Sequence, residues 1–535
     1  MTEMDRSGRT LADMCRTIRE LNDRGAAIYI LDHGAVTIWR VETHSGQGQV
    51  QQRITTQTQW NSGDPSARMS AAVRASHSMQ EDEVAMNPSS RLALVLTILS
   101  CLLAGFCAAQ EPRLRVIIET DAGGDPDDEQ SLVRFLVYAD QWDIEGIIAN
   151  RPRARDGENK NPERTGLGIV RALVSAYGQC YANLVRHDPQ YPKPEALLAR
   201  TVAGYDDARD GVDLIIRAVD GPDPRPMWFC NWGTDRGSAE SSLKRALDRV
   251  LHERGPAGYA KFKRRLRLSS ADKFAAHTRV LDPPFPLWVD TFRPTLGTQR
   301  WYHRFSALTA RAGGFDLQRD VRTGHGPLGA LYPTNTGLPQ KEGDTMTFLY
   351  LVPTGMNDPN EPTWGSWAGR YGPNEEFPGK AYYWANQCDT WKGTTSRENT
   401  LARWAVALQN DFRARMDWCA TGDFQKANHP PLAVLNGERT KTVLSVQAKS
   451  GDTVRLSARG STDPDGHAVG TTWFLYREAG TLPGELKLTA AAGETTGFVA
   501  PQVEGPATIH VILQLEDSGE PHLFAFRRAV ITLQP

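Results

Sequence analysis

The segment Thr120-Asp121-Ala122-Gly123-Gly124-Asp125-Pro126-Asp127-Asp128-Glu129-Gln130 sets four aspartates within eight residues, directly after the apolar run Leu114 to Ile118. Crowded carboxylates repel one another unless something positive sits between them, and hard oxygen ligands suit calcium or magnesium better than a soft metal. The plainer alternative is an acidic loop that caps a helix, because anionic groups such as Asp127 and Asp128 are favoured in a helix's first turn. Capping needs one aspartate, not four. Asp121, Asp125, Asp127 and Asp128 are therefore together a candidate set of ligands for a hard cation.

Positioning such a turn requires a strand before it and a helix after it. Leu114 to Ile118 reads as a buried strand, and Leu132, Phe135, Leu136 and Ala139 follow the spacing of an amphipathic helix. In open α/β sheets ligands bind in the crevice outside the carboxyl ends of the strands, where this turn would lie. Further strands are expected at Ile144 to Ala149, Pro226 to Cys230 and Met346 to Val352. Helices are expected around Leu167 to Tyr177 and Leu243 to Leu251, with a long closing helix from Leu401 to Phe412. This alternation over residues 111–425 predicts an α/β domain with a mostly parallel sheet and flanking helices.

The pattern then changes. His429-Pro430-Pro431 reads as a stiff linker. Val454, Leu456 and Ala458, and again Ile509, Val511, Leu513 and Leu515, alternate with period two. Residues 430–535 therefore predict an all-β immunoglobulin-like sandwich. The turn Asp463-Pro464-Asp465-Gly466 reads as a simple turn, with weak calcium binding as its alternative.

The acidic turn resembles the N-terminal signature of the inosine-uridine nucleoside hydrolases, in which a strand ends in Asp-x-Asp-Pro-Gly-x-Asp-Asp and the aspartates hold calcium. Here the spacing is two residues longer and the first acidic position is Glu119. That variant resembles a divergent branch, the cellulose-binding proteins with a nucleoside-hydrolase-like domain and a C-terminal β domain. Ile144 to Ala149, Asp223 to Trp228, Gly324 to Gly329, Glu342-Gly343-Asp344-Thr345 and Leu351 to Tyr371 fit the same branch, and the resemblance extends over residues 111–535.

The resemblance implies a calcium cofactor and roles for individual residues. Asp121 would ligate calcium and act as base for an attacking water, Asp127 would help bind sugar hydroxyls, and Asp128 would be the bidentate metal ligand. Asp125 falls in the insertion. The Thr234 carbonyl and the Asp344 carboxylate would complete the protein's share of the metal shell. Gly343 stands where these hydrolases commonly carry a histidine that helps the leaving base depart, and no Glu-x-Asn substrate motif is found. His325 is the candidate replacement acid, set against a structural role. Trp364 and Trp367, in a glycine-flanked polar loop, are candidates for stacking on sugar rings, with core packing as the alternative. Asn150 and Asn231, at the ends of the second and third strands, join them as candidate substrate-binding residues.

Two functions follow as expectations. One is an exported, calcium-dependent hydrolase of glycosyl bonds, N-glycosyl in type. The other is a non-catalytic cellulose- or carbohydrate-binding protein that keeps the old metal site for sugar hydroxyls. The expected partner is a carbohydrate or nucleoside-like small molecule, cellulose among them, and a homo-oligomer is left open. A net charge of -2 shows no electrostatic footprint for nucleic acid.

Residues 91–106 open on Arg91, continue as an apolar run and are followed by Cys107-Ala108-Ala109, the pattern of a secretory signal peptide cleaved near Ala109. The apolar run is shorter than the ~20 residues a spanning helix needs, so no membrane association is expected after cleavage, and a secreted or periplasmic location follows. With residues 86–109 as the signal peptide, Met86 is the expected start. Residues 1–85 then read as an over-extended arm: Met4 to Asp32 resembles an internal piece of a serine-recombinase catalytic domain, and residues 42–85 are polar enough to predict disorder. Cys388 and Cys419, flanking one helical segment, are a plausible disulfide pair among the four cysteines past residue 109.

Overall fold

The computed structural model describes residues 113–535 except 155–163, 206–208, 233–240, 271–283, 292–304, 307 and 335–339. In the N-terminal part it describes the backbone of three strands: β1 (Ile28–Asp32), β2 (Ala35–Gly46) and β3 (Gln49–Trp60). The chain divides into two units, Met1–Ala108 and Ala109–Pro535. In the first, β1, β2 and β3 pair antiparallel in that order, so regular pairing reaches into the segment whose composition predicts disorder. The proposed signal peptide lies outside the described residues.

The second unit starts with β4 (Leu114–Thr120), α1 (Asp127–Val137), β5 (Trp142–Ala149), α2 (Gly166–His187), α3 (Pro194–Ala199) and β6 (Thr201–Ala203). It continues through α4 (Arg209–Asp220), β7 (Met227–Trp232), α5 (Ser242–Arg264), β8 (Leu266–Ser270) and β9 (Trp288–Asp290). Next come the short helices α6 (Gly326–Ala330) and α7 (Thr345–Leu349), then β10 (Gly372–Pro373), β11 (Tyr382–Trp384) and a hairpin of β12 (Asp389–Trp391) with β13 (Thr394–Ser396). Helices α8 (Asn399–Ala402) and α9 (Ala405–Ala420) close the α/β part.

The main sheet has the order β10-β11-β9-β8-β7-β4-β5-β6 and is parallel apart from β10. Alternate residues of β4 face opposite layers. Val116 and Ile118 join the core with α1, α2 and α9, and Ile117 joins the core with α4 and α5. Because β5 and β6 extend the sheet to one side of β4 and β7, β8 and β9 to the other, the strand order reverses between β4 and β7. The crevice at such a switch point is where open α/β sheets bind ligands.

The strand expected at Met346 to Val352 is instead helix α7, followed by a turn. Periodicity cannot separate a short, wholly apolar strand from a buried helical turn, and every residue of α7 is buried. The closing helix is also broken, at Arg403-Trp404, into α8 and α9. The four described cysteines are free. Cys388 is exposed, whereas Cys419 is buried and hydrogen-bonded to Cys180, so the expected Cys388–Cys419 pair does not form.

The C-terminal part is the expected β-sandwich, built from β14 (Leu444–Lys449), β15 (Thr453–Ser457), β16 (Val469–Leu475), β17 (Thr495–Val499), β18 (Ala507–Asp517) and β19 (Phe524–Gln534). One sheet runs β14-β19-β18-β16 and faces the pair β15-β17 across a core that includes Leu456, Trp473, Phe498, Leu513 and Ile531. The sandwich does not hang on a free linker. Tyr476, Ile512 and Phe526 belong to the larger core of the α/β part, Tyr476 donates to Asp389 Oδ2 at 2.6 Å, and the Phe526 ring meets Trp404 edge-on.

Candidate cation and ligand site

The acidic turn forms where the strand-to-helix reading puts it. The Gly124 N–H donates to the Asp121 carbonyl at 3.1 Å, and the Ala122 N–H donates to Thr120 Oγ1 at 3.1 Å. Gly123 has φ +92°, a left-handed conformation that glycine adopts without penalty, and an added Cβ would meet Ala154 Cβ at 3.0 Å. Asp127 and Asp128 open α1, where anionic groups complement the helix dipole. Thr120 Oγ1 donates to Asp128 Oδ1 and fixes that carboxylate against the end of β4.

A second loop is clamped onto α1. Gln130 accepts from the backbone N–H groups of Lys341 and Glu342 at 2.7 and 3.0 Å, and Ser131 Oγ accepts from the Asp344 N–H at 3.3 Å. Below them Arg134 and Glu342, both fully buried, form a two-pronged ion pair with contacts of 2.5 and 3.1 Å. Tyr332 also donates to Glu342, and the Arg134 guanidinium lies 3.7 Å from the Phe412 ring centre. This fully hydrogen-bonded pair orients residues 340–345 across α1 and delivers Asp344 to the turn.

The result is a cluster of three carboxylates, Asp127, Asp128 and Asp344, all buried, with ligand oxygens within 4.8 Å of one another. Burial drives the Asp127 carboxyl up to about 6, against a pull downward from Lys341, while Asp125 and Asp121 push it further up. Burial also raises Asp128 well above the usual carboxylate range, and Asp344, Asp121 and Asp127 add to the rise. Three buried carboxylates brought this close could serve a hard divalent cation, and two-oxygen binding by each could supply much of a six-to-eight oxygen shell. The residues present fit a calcium ion.

Other expected residues are placed differently. Asp121 turns its carboxylate to Arg151, with Nη1 at 3.0 Å, and Asp125 takes the Lys341 ammonium, which also stands 3.3 Å from Asp127 Oδ2. Two protein cations thus hold the outer aspartates at a rim where the side chains of Asp121, Asp125 and Arg151 are 25 %, 51 % and 41 % exposed. Asn150 is buried and donates to Glu119 Oε1 at 2.6 Å, and that same oxygen accepts from the Ser242 N–H at the start of α5. Asn231, opposite Glu119 in the β4–β7 register, is buried as well. Through Glu119, the end of β4 is tied to the residue after β5 and to the start of α5. Thr234 lies outside the described residues.

His325 is not brought to the cluster. Its Nε2 bonds Asp417 Oδ1 on α9 at 2.8 Å, and the glycine after it packs against Cys180 and Cys419. Trp364 and Trp367 face the sandwich and the core instead of the crevice. Arg528 of β19 donates to the carbonyls of Trp364 and Gly365 at 3.0 and 2.9 Å, the Trp364 ring meets His510 edge-on, and Trp367 is buried in the larger core. A glycine-flanked loop looks exposed in sequence, but here it is covered by another domain. Lys341, Glu342, Arg134 and Arg151 join the site through contacts between distant parts of the chain. Arg134 lies on the side of α1 opposite the stripe of Leu132, Phe135, Leu136 and Ala139, a position that reads as solvent-facing in an amphipathic helix.

A family model described as cellulose-binding Sde182, nucleoside hydrolase-like domain, matches residues 115–371, and one described as cellulose-binding protein Sde0182, C-terminal domain, matches residues 453–533. Among solved structures, a nucleoside hydrolase-related hypothetical protein from Saccharophagus degradans, described as associated with carbohydrate metabolism, is 30 % identical. The match covers 79 % of this chain and 100 % of that one, with a TM-score of 0.62. No curated protein matches.

Proposed function

The chain belongs to the cellulose-binding Sde182 family with a nucleoside hydrolase-like domain, and on that premise we propose that it binds carbohydrate non-catalytically, gripping sugar hydroxyls at Asp127, Asp128 and Asp344 with calcium as cofactor. The observation that carries this reading is the convergence of those three buried carboxylates at the switch point, with Gly343 beside Asp344 and His325 held by Asp417. A binding site for polyols is supported there, and among the described residues neither Gly343 nor His325 offers the cluster an acid for a leaving group. Bound calcium would supply open coordination positions for neighbouring hydroxyls. The protein's own contribution is the rim: Arg151 and Lys341 hold Asp121 and Asp125 in place, and all four side chains offer polar atoms to a sugar's edge. Export through the segment ending near Ala109 belongs to the same proposal, since an insoluble glucan is met outside the cell.

A second reading, calcium-dependent hydrolysis of an N-glycosyl-type bond, draws on one observation. Asp127 is buried beside Asp128 and Asp344, whereas the Asp121 carboxylate is engaged by Arg151, which moves the role of base for an attacking water from Asp121 to Asp127. The two readings separate in a single experiment. Full chain stripped of metal or loaded with calcium is mixed with cellulose, cello-oligosaccharides and nucleosides, and retention and released reducing sugar are both measured. Calcium-dependent retention without release supports the binding protein, release abolished by Asp127→Asn supports the hydrolase, and neither retention nor release overturns both.

A further inference from the structure

The turn Asp463-Pro464-Asp465-Gly466, between β15 and β16, has no part in the site above. Asp463 Oδ1 accepts from the backbone N–H groups of Asp465 and His467, each at 2.9 Å, as a simple turn requires. The turn leaves Oδ2 unexplained. That oxygen has no hydrogen-bond partner although the Asp463 side chain is only 1 % exposed. His467 Nδ1, 3.7 Å from Asp463 Oδ1, is buried without a partner too. Buried polar atoms are nearly always hydrogen-bonded, and buried charges are paired or coordinate a metal. Asp517, at the end of β18, completes the group: the ligand atoms of Asp463, His467 and Asp517 lie within 4.8 Å of one another.

We propose that Asp463 Oδ2, His467 Nδ1 and the Asp517 carboxylate form a second cation site, in the sandwich, that takes a first-row transition ion of the zinc type. An imidazole with two carboxylates suits zinc, whereas calcium asks for six to eight oxygens. Three protein ligands leave room for a water, and the His467 side chain is 35 % exposed, which gives an ion a way in. The carboxylate of Asp517 is oriented in advance. Its Oδ1 accepts from the Gly519 and Leu523 N–H groups, and its Oδ2 accepts from Asn428 Nδ2 at 3.0 Å. Such outer hydrogen bonds orient metal ligands. Asn428 and His429 lead the chain into the sandwich, and His429 bonds Asp465 in the same turn at 2.9 Å. The ion would therefore fasten this entry segment to the ends of β16 and β18, a structural role separate from sugar binding.

The test uses the full chain carrying Asp128→Asn, so that the first cluster does not contribute, stripped with chelator and titrated calorimetrically with zinc chloride. One equivalent of zinc is expected, with an upward shift in Tm that calcium at equal concentration does not produce. Asp463→Asn and His467→Gln, each checked for the folded near-ultraviolet dichroism, should weaken zinc at least tenfold and remove the Tm shift. Zinc uptake that both variants leave unchanged would overturn the site. Calcium binding that His467→Gln leaves unchanged, with no zinc uptake, would overturn the assignment of the ion.

Discussion

Replacing Asp127 by asparagine should stabilise the metal-free protein at neutral pH and weaken it once calcium is present. The folded state holds the Asp127 proton more tightly than the unfolded chain does, with a value near 6 against 3.8. Stability from this group is thus present below the unfolded value and lost as pH rises through the folded one. The difference of roughly two units corresponds to about 3 kcal/mol. Lys341 at 3.3 Å shares in that balance, so the expected gain from Asp127→Asn at neutral pH is about 1–3 kcal/mol, falling towards zero near pH 4. The assay is urea unfolding of wild type and variant in chelator at the two pH values, repeated with calcium. In calcium the sign should reverse, because the ionised carboxylate is then a ligand. A variant that is less stable than wild type in chelator at neutral pH, or a gain of the same size at both pH values, would refute the reasoning.

Three further outcomes are expected. Arg134→Met strands Glu342 as a fully buried charge and should cost about 3–5 kcal/mol in urea unfolding, with part of the loss recovered by adding Glu342→Gln. His510, lowered to about 3 by burial and then by Arg528, should stay neutral in the folded state, so its imidazole resonances should not titrate between about pH 7 and pH 4; stability from this group is lost as pH falls from 6.5 towards 3. Trp364→Ala should lower stability by about 2–3 kcal/mol, less than a fully buried tryptophan, while glycan retention stays at the wild-type level; a selective loss of retention would restore the stacking role.

Much of the α/β layer was legible because its strands are short, apolar and bounded by turn residues, and because α1 and α2 carry helical spacing. The acidic turn could be placed between β4 and α1 for the same reason. Met346 to Val352 could not be read correctly, since an apolar run buried on every side has no period to betray a helix. The closing helix was expected to be unbroken because its apolar stripe continues across the break at Arg403-Trp404. In the site, the acidic turn points to Asp128 and the family resemblance to Asp344, but the charges that engage Asp121 and Asp125 come from Arg151, 30 residues beyond its aspartate, and Lys341, 216 residues beyond. Such pairings depend on tertiary contact alone. The tryptophans misled in the opposite direction: a polar loop rich in glycine reads as exposed, and only the docked sandwich shows that its rings are covered.

The most direct test of the cation-assisted binding site is calcium binding by the chelator-stripped full chain, followed by calorimetry with wild type, Asp128→Asn, Asp344→Asn and, as the control outside the cluster, Asp463→Asn. The account predicts one calcium site that Asp128→Asn and Asp344→Asn each abolish and Asp463→Asn leaves intact, with calcium-dependent glycan retention lost in the same two variants. Calcium affinity unchanged by Asp128→Asn and Asp344→Asn would contradict it.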